Sequence, residues 1–173
     1  MRINTIVAVD QNWGIGCQGQ LLVHLPQDLK FFKQMTIGKT VVMGEVTFCS
    51  LPGQKPLPDR RNIVLSFDPD FKPAGVVVCH SVAELERLLA EEAADEVWII
   101  GGASVYEQFL PCCHAAHITQ IEKAFTADRY FPDLQEKSEW QCTFVGELEE
   151  HEGIPFRHVI YENRQVKKLR DII

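Results

Sequence analysis

Apolar and polar positions along the chain fall into two rhythms. Short, strand-length, mostly apolar runs recur through the first two thirds: Ile3 to Val9, Thr40 to Met43, Asn62 to Ser66, Gly75 to Cys79, Glu96 to Ile100 and His117 to Ile121. Rich in β-branched residues and bounded by turn formers or charges, they predict buried strands. Between them comes a helical rhythm. Pro26 suits the first position of a helix, and the run to Met35 holds neither glycine nor a second proline. Leu29, Phe32 and Met35 line one side of it, with Lys30, Lys33 and Gln34 largely toward the other. Ser81 with Glu84 three residues on is a capping box that opens a helix carrying Leu85, Leu88 and Leu89. Trp140 to Leu148 and Phe156 to Asn163 read as a late hairpin. Strands alternating with helices, then an antiparallel pair, predict an α/β fold. Its mainly parallel central sheet has about eight strands, an antiparallel C-terminal edge hairpin, and helices on both faces. Residues 1–164 are expected to form a single domain, and the charged tail 165–173 to fray.

Three places break the rhythm. Asp28 lies beside Leu29 and four residues before Phe32, so its carboxylate projects along the apolar helix face, where burial is costly without a partner. Lys30 and Lys33 are displaced around the helix and offer no cation there. Asp28 either complements the helix dipole from the first turn or meets a ligand that brings its own N–H donors. The second place is Asp10 to Leu25, which carries Gly14, Gly16 and Gly19 with little periodicity. Loops of this length are usually lids or disordered. Gly14 to Gly19 matches G-x-G-x-x-G by letter, but Leu21 to Leu25 intervene before Pro26 opens the helix, so a mobile, glycine-hinged loop is the more economical reading. The third feature occurs twice. A strand runs into Gly44 before a brief helix from Glu45 to Phe48, and another runs into Gly101-Gly102 before a helix from Ala103 to Glu107. Each is either a tight turn or a place where backbone N–H groups, with the Thr47 hydroxyl at the first, meet a phosphate. The recurrence favours phosphate.

At 173 residues, 46% hydrophobic and 24% charged, the chain suits one folded domain. A net charge of −7 argues against a general nucleic-acid or acidic-membrane binder. No run is long enough for a secretory leader or a membrane span, which places the chain in the cytoplasm. The six cysteines are scattered without a C-x-x-C pair, and His114 and His117 point to opposite faces of a strand, so no metal is expected.

Several segments together carry a resemblance: Ile6-Val7-Ala8, Gly14-Ile15-Gly16, Leu25-Pro26-Gln27-Asp28-Leu29, Val42-Met43-Gly44, Pro56 to Ser66, Ile100-Gly101-Gly102-Ala103, Tyr106, Thr119-Gln120-Ile121 and Asp128 to Pro132. In order and spacing the chain resembles dihydrofolate reductase in its bacterial, aspartate-containing form over nearly its whole length. The resemblance implies reduction of 7,8-dihydrofolate to tetrahydrofolate, supplying one-carbon and thymidylate metabolism, by a monomer that binds dihydrofolate and antifolate-type molecules. Asp28 would pair with the 2-amino and N3 groups of the pterin, supported by Thr119. Ile6, Leu29, Phe32, Leu51, Leu57, Ile100 and Tyr106 would line the substrate pocket, and Arg60 would take the carboxylate of the glutamate tail. Ala8 and Ile15 would face the nicotinamide. Gly44, Glu45, Thr47, Leu65, Ser66, Gly101, Gly102, Ala103, Ser104 and Val105 would surround the rest of an NADPH cofactor. The hydride would pass to C6 after N5 is protonated through water.

Two departures stand out. Where the family usually carries proline and tryptophan, this chain has Leu22 and Val23, which implies a looser pocket end and reduced sensitivity to diaminopyrimidine antifolates. Glu45 replaces the arginine that usually meets the 2′-phosphate, and Phe67 and Asp68 follow Ser66, so NADH becomes possible unless Arg61, Lys39 or His80 compensates. A diverged paralogue that binds folate or a partner with little turnover, or another reductase on the same fold, is the alternative.

Overall fold

Hydrophobic runs and glycine breaks divide the chain into twelve strands and four α-helices, which the computed structural model describes from Met1 to Ile173. In order these are β1 (Arg2–Val9), β2 (Gly14–Cys17), β3 (Gln20–Leu21), α1 (Pro26–Thr36), β4 (Thr40–Gly44), α2 (Glu45–Ser50), β5 (Arg61–Leu65), β6 (Val77–Cys79), α3 (Val82–Glu91) and β7 (Glu96–Ile99). Then follow α4 (Ala103–Phe109), β8 (Ala115–Ile121), β9 (Arg129–Tyr130), β10 (Trp140–Val145), β11 (Glu149–His151) and β12 (Ile154–Asn163).

The main sheet runs β10-β12-β8-β1-β7-β4-β5-β6. Every neighbour from β8 to β6 is parallel, whereas β12 lies antiparallel between β8 and β10 and also pairs with β11. Parallel strands covered on both faces need apolar residues on both sides, and Val41, Val42, Ile63, Val64 and Val97 have no measurable exposure. Alternation along β1 sends Ile3, Val7 and Val9 into the larger core beneath α3 and α4, and Ile6 into a smaller one against Phe31, Phe32 and Met35 of α1. Helices therefore cover both faces, as the alternating pattern predicts.

Four expectations are corrected. The segment from Asp10 to Leu25 is not a bare loop, because β2 and β3 join β9 in a second, three-stranded sheet. Its base is pinned by the buried Asp10 carboxylate, which accepts from the N–H groups of Asn12, Gly14 and Phe125 at 2.9, 2.8 and 3.0 Å. The tail does not fray throughout: Leu169 to Ile172 form a short 3₁₀ turn with Leu169 buried in the larger core. Leu29 does not share the burial of Phe32 and Met35, and is 44% exposed. The capping box at Ser81 half forms. Ser81 accepts from the Glu84 N–H, while the Glu84 carboxylate takes the N–H of His80.

Candidate active site

Helix α1 begins with Pro26 and no side-chain cap, which puts Asp28 in its first turn facing the sheet. Opposite it, β8 presents Thr119, only 2% exposed, whose hydroxyl donates to Asp28 Oδ1. No cation arrives from α1 itself. An imidazole comes instead from β12, where His158 lies in register with Thr119 and brings Nδ1 to 2.9 Å from the same hydroxyl oxygen. His158 Nε2 lies 3.5 Å from the Glu149 carboxylate, and the ring stacks on Phe31 at 4.0 Å between centroids. Burial lifts the Asp28 carboxyl above the usual carboxylate range. The Thr119 hydrogen bond and the His158 charge oppose the rise, and Glu149 adds to it.

Around this carboxylate Ile6 and Ile100 are buried in one apolar cluster, and Phe32, Leu51 and Leu57 pack against it. Arg60 sits at the far end of α1, with its guanidinium 6.0 Å from the Phe32 ring, donating to the Pro58 carbonyl and to Thr36 Oγ1. Asn62 shapes the stretch that carries it: its amide accepts from the Leu57 N–H at 2.9 Å and donates to the carbonyls of Leu57 and Arg60. Tyr106 is packed in the larger core, and its hydroxyl donates to the Ile6 carbonyl at 2.8 Å. It ties α4 to β1, near enough to Asp28 to feel that charge.

The two glycine turns meet. The Gly44 N–H donates to the Gly101 carbonyl at 2.8 Å. A Cβ on Gly44 would fall 3.1 Å from Val105 Cγ2, and one on Gly102 would fall 3.2 Å from the Thr47 hydroxyl. Gly101 has φ of +124°, which only glycine adopts readily, and the Gly101-Gly102 peptide is cis. The starts of α2 and α4 thus lie side by side with unpaired N–H groups, among them those of Ala103, Ser104 and Val105. Glycine at these positions is what lets the two helix starts pack against Val105 and Thr47 so closely. Leu65 and Ser66 close one end, where the Ser66 hydroxyl donates to Glu45 Oε2 at 2.6 Å. Ala8 lies near the end of β1, and Ile15 in β2 packs against the larger core.

Two expected compensators are misplaced. Lys39 and Arg61 lie at the opposite ends of β4 and β5, paired with Glu96 and Glu92. Only His80 is near, its Nδ1 2.8 Å from the Ser66 carbonyl. His158, Asn62 and Asp10 escape sequence reasoning. His158 stands in an alternating strand whose inward face was readable, but its partners lie 39 and 130 residues away. Asn62 and Asp10 read only as strand and turn boundaries.

Residues 2–163 match the dihydrofolate reductase family. A dihydrofolate reductase of Staphylococcus aureus is 39% identical over 163 residues, covering 92% of this chain and 98% of its own length. One from Aedes albopictus is 35% identical over 182 residues, covering 93% and 97%. Among solved structures, dihydrofolate reductase from Enterococcus faecalis complexed with NADP(H) and RAB-propyl aligns with a TM-score of 0.81 and 36% identity, covering 94% of this chain and 96% of that one. With matches of this extent and a carboxylate held between helix and sheet beside paired glycine turns, the chain belongs to the dihydrofolate reductase family.

Proposed function

We propose that Asp28 is the pterin-binding carboxylate of this reductase, and that Glu45 opens the enzyme to NADH alongside NADPH. One observation carries the first part: a desolvated carboxylate that receives one hydroxyl from Thr119 and no donor from its own helix. The 2-amino and N3–H groups of a dihydropterin supply two parallel N–H donors, the match a carboxylate makes best. Thr119 holds the carboxylate plane, Ile6 and Ile100 exclude water from the ring, and Arg60 takes the tail carboxylate as a guanidinium fork. A bound reduced nicotinamide supplies the hydride to C6. The chain's own residues orient the pterin and keep it dry, and N5 receives its proton through water.

The NADH reading rests on Glu45. Its carboxylate lies in a hydrogen bond with Ser66, beside the fully exposed Phe67 and the acidic Asp68. A carboxylate accepts from a ribose 2′-hydroxyl and repels a 2′-phosphate. Of Lys39, Arg61 and His80, only His80 stands beside Ser66 to offset that repulsion. Val23 packs with Ala8 against Leu25, Ile121 and Phe156. A small aliphatic side chain at this place supports weaker binding of diaminopyrimidine antifolates.

The test is oxidation of NADPH and NADH by dihydrofolate, side by side, with Asp28→Asn as control. Turnover that collapses in the variant supports the assignment of Asp28, and the ratio of kcat/KM for the two cofactors reads Glu45. No turnover by folded protein with either cofactor overturns the reading in favour of a folate-binding paralogue.

A further inference from the structure

We propose that His158 is a positioning residue for Asp28, acting through Thr119, and that Glu149, Thr119 and His158 form a hydrogen-bonded and ionic chain that fixes the orientation and charge of the catalytic-site carboxylate. The inference rests on Asp28 being the pterin-binding group.

Thr119 Oγ1 carries a single hydrogen and sits between Asp28 Oδ1 and His158 Nδ1. An ionised carboxylate only accepts, so the hydroxyl proton belongs to Asp28, and the oxygen can meet His158 only as an acceptor. Nδ1 must then carry a hydrogen. The other ring nitrogen, Nε2, lies 3.5 Å from Glu149 Oε2, which favours a hydrogen there as well. A ring that carries both hydrogens sits two bonds from the Asp28 charge, with Glu149 as its counter-ion. The arrangement is held from several sides. Phe31 covers the ring at 4.0 Å, and Phe156 meets it edge-on at 6.1 Å. Gln27, next to Asp28, donates to the Glu150 carbonyl at 3.1 Å and so fastens the β11 turn to the start of α1. The charged and titratable groups facing this chain are Asp28 from α1, Glu149 from β11, His117 from β8 and Tyr106 from α4, the last with its proton on the Ile6 carbonyl.

Asp28 and His158 meet at one hydroxyl, so the ring reaches the carboxylate through it. The His158 charge lowers the Asp28 carboxyl, and without it that group stays protonated to higher pH.

The experiment uses the full chain without ligand. Aspartate carboxyl carbons and histidine ring nitrogens are labelled and followed by NMR against pH in wild type, His158→Gln and His158→Phe. The expected result is a His158 Nδ1 that carries a hydrogen while Asp28 is ionised, and an upward shift of the Asp28 midpoint in both variants. Glutamine keeps an N–H donor without the charge, so dihydrofolate KM should stay near wild type in His158→Gln and rise about three- to tenfold in His158→Phe. An Asp28 midpoint equal in all three proteins overturns the proposal, and so does an Nδ1 without hydrogen. If either variant fails to fold, the two wild-type signals still decide the matter. Failure of the underlying assignment looks different: 2,4-diaminopyrimidine would bind Asp28→Asn as tightly as wild type, whatever the titration shows.

Discussion

Two carboxylates mark the two ends of the cleft, and they are built in opposite ways. Asp28 is desolvated between a helix and a sheet, and its partners Thr119 and His158 lie 91 and 130 residues away in sequence. Glu45 sits at the open end, beside Phe67 at 96% exposure, and its one side-chain partner, Ser66, is 21 residues on. At the first, loss of solvent makes the charge expensive and therefore responsive to each donor offered to it. At the second, water screens the charge, which acts chiefly by sign, attracting hydroxyls and repelling phosphate. On the proposed reading, the same functional group is a binding centre in one place and a selectivity filter in the other.

Asp28→Asn tests that contrast most severely. Turnover should fall by about 10²- to 10³-fold, because the amide offers one acceptor where two donors must be met. Free-protein stability should move the other way. A carboxyl whose folded pKa is raised contributes stability that is complete below its unfolded value and is lost as pH rises through the folded one. At neutral pH the ionised group therefore costs stability, and asparagine should restore about 1 kcal/mol, seen as a higher melting temperature. A lower one would put Asp28 in the same class as Glu45.

Glu45→Arg should raise the ratio of kcat/KM for NADPH over NADH by about 10- to 100-fold while leaving the KM for dihydrofolate unchanged. A change in dihydrofolate KM would mean that the two ends are not independent. Hydride transfer itself should fall about tenfold per pH unit above the value governing N5 protonation, since only the protonated substrate accepts hydride well. Single turnovers with deuterated cofactor would read this, and a flat profile would refute it.

Smaller effects sharpen the comparison within the sheet. His117 lies on the same sheet face, where burial, with Arg2 adding to it, pushes its imidazole down from 6.5 to about 4. A base with a depressed folded pKa contributes stability above its unfolded value and loses it as pH falls. His117→Gln should therefore flatten a loss of about 1–2 kcal/mol between roughly pH 6.5 and 4, a figure reduced for its partial exposure. Denaturant melts at the two pH values would check it. Restoring Leu22→Pro with Val23→Trp should tighten diaminopyrimidine inhibition about three- to fivefold. Unchanged inhibition would remove Val23 from the account of antifolate response.

Legibility followed the range of the interactions. The strands β1, β4, β5, β6, β7 and β8 could be placed because a run buried on both faces announces itself locally, as in Val41-Val42-Met43 and Ile63-Val64. Asp28 stood out as a charge on an apolar helix face, and the glycine turns as breaks between strand and helix. The β2–β3 segment could not be seen, since its two short strands depend on β9 and on Asp10 bonds that reach Phe125. Lys39, Arg61 and His80 looked equivalent in the sequence, yet strand direction puts two of them at the wrong end of the sheet.

The order of amino acids by itself determined the strand and helix periods, the places where only glycine fits, and the kind of group available at each end of the cleft. These depend on neighbours a few residues away, and local sterics and hydrophobic spacing settle them. Tertiary structure alone decided which groups face one another. It tied Tyr106 to the Ile6 carbonyl and set His158 against Thr119 by the register of β12 on β8. Register and burial are properties of the packed sheet, and they turn Asp28 from a misplaced charge into a tuned one.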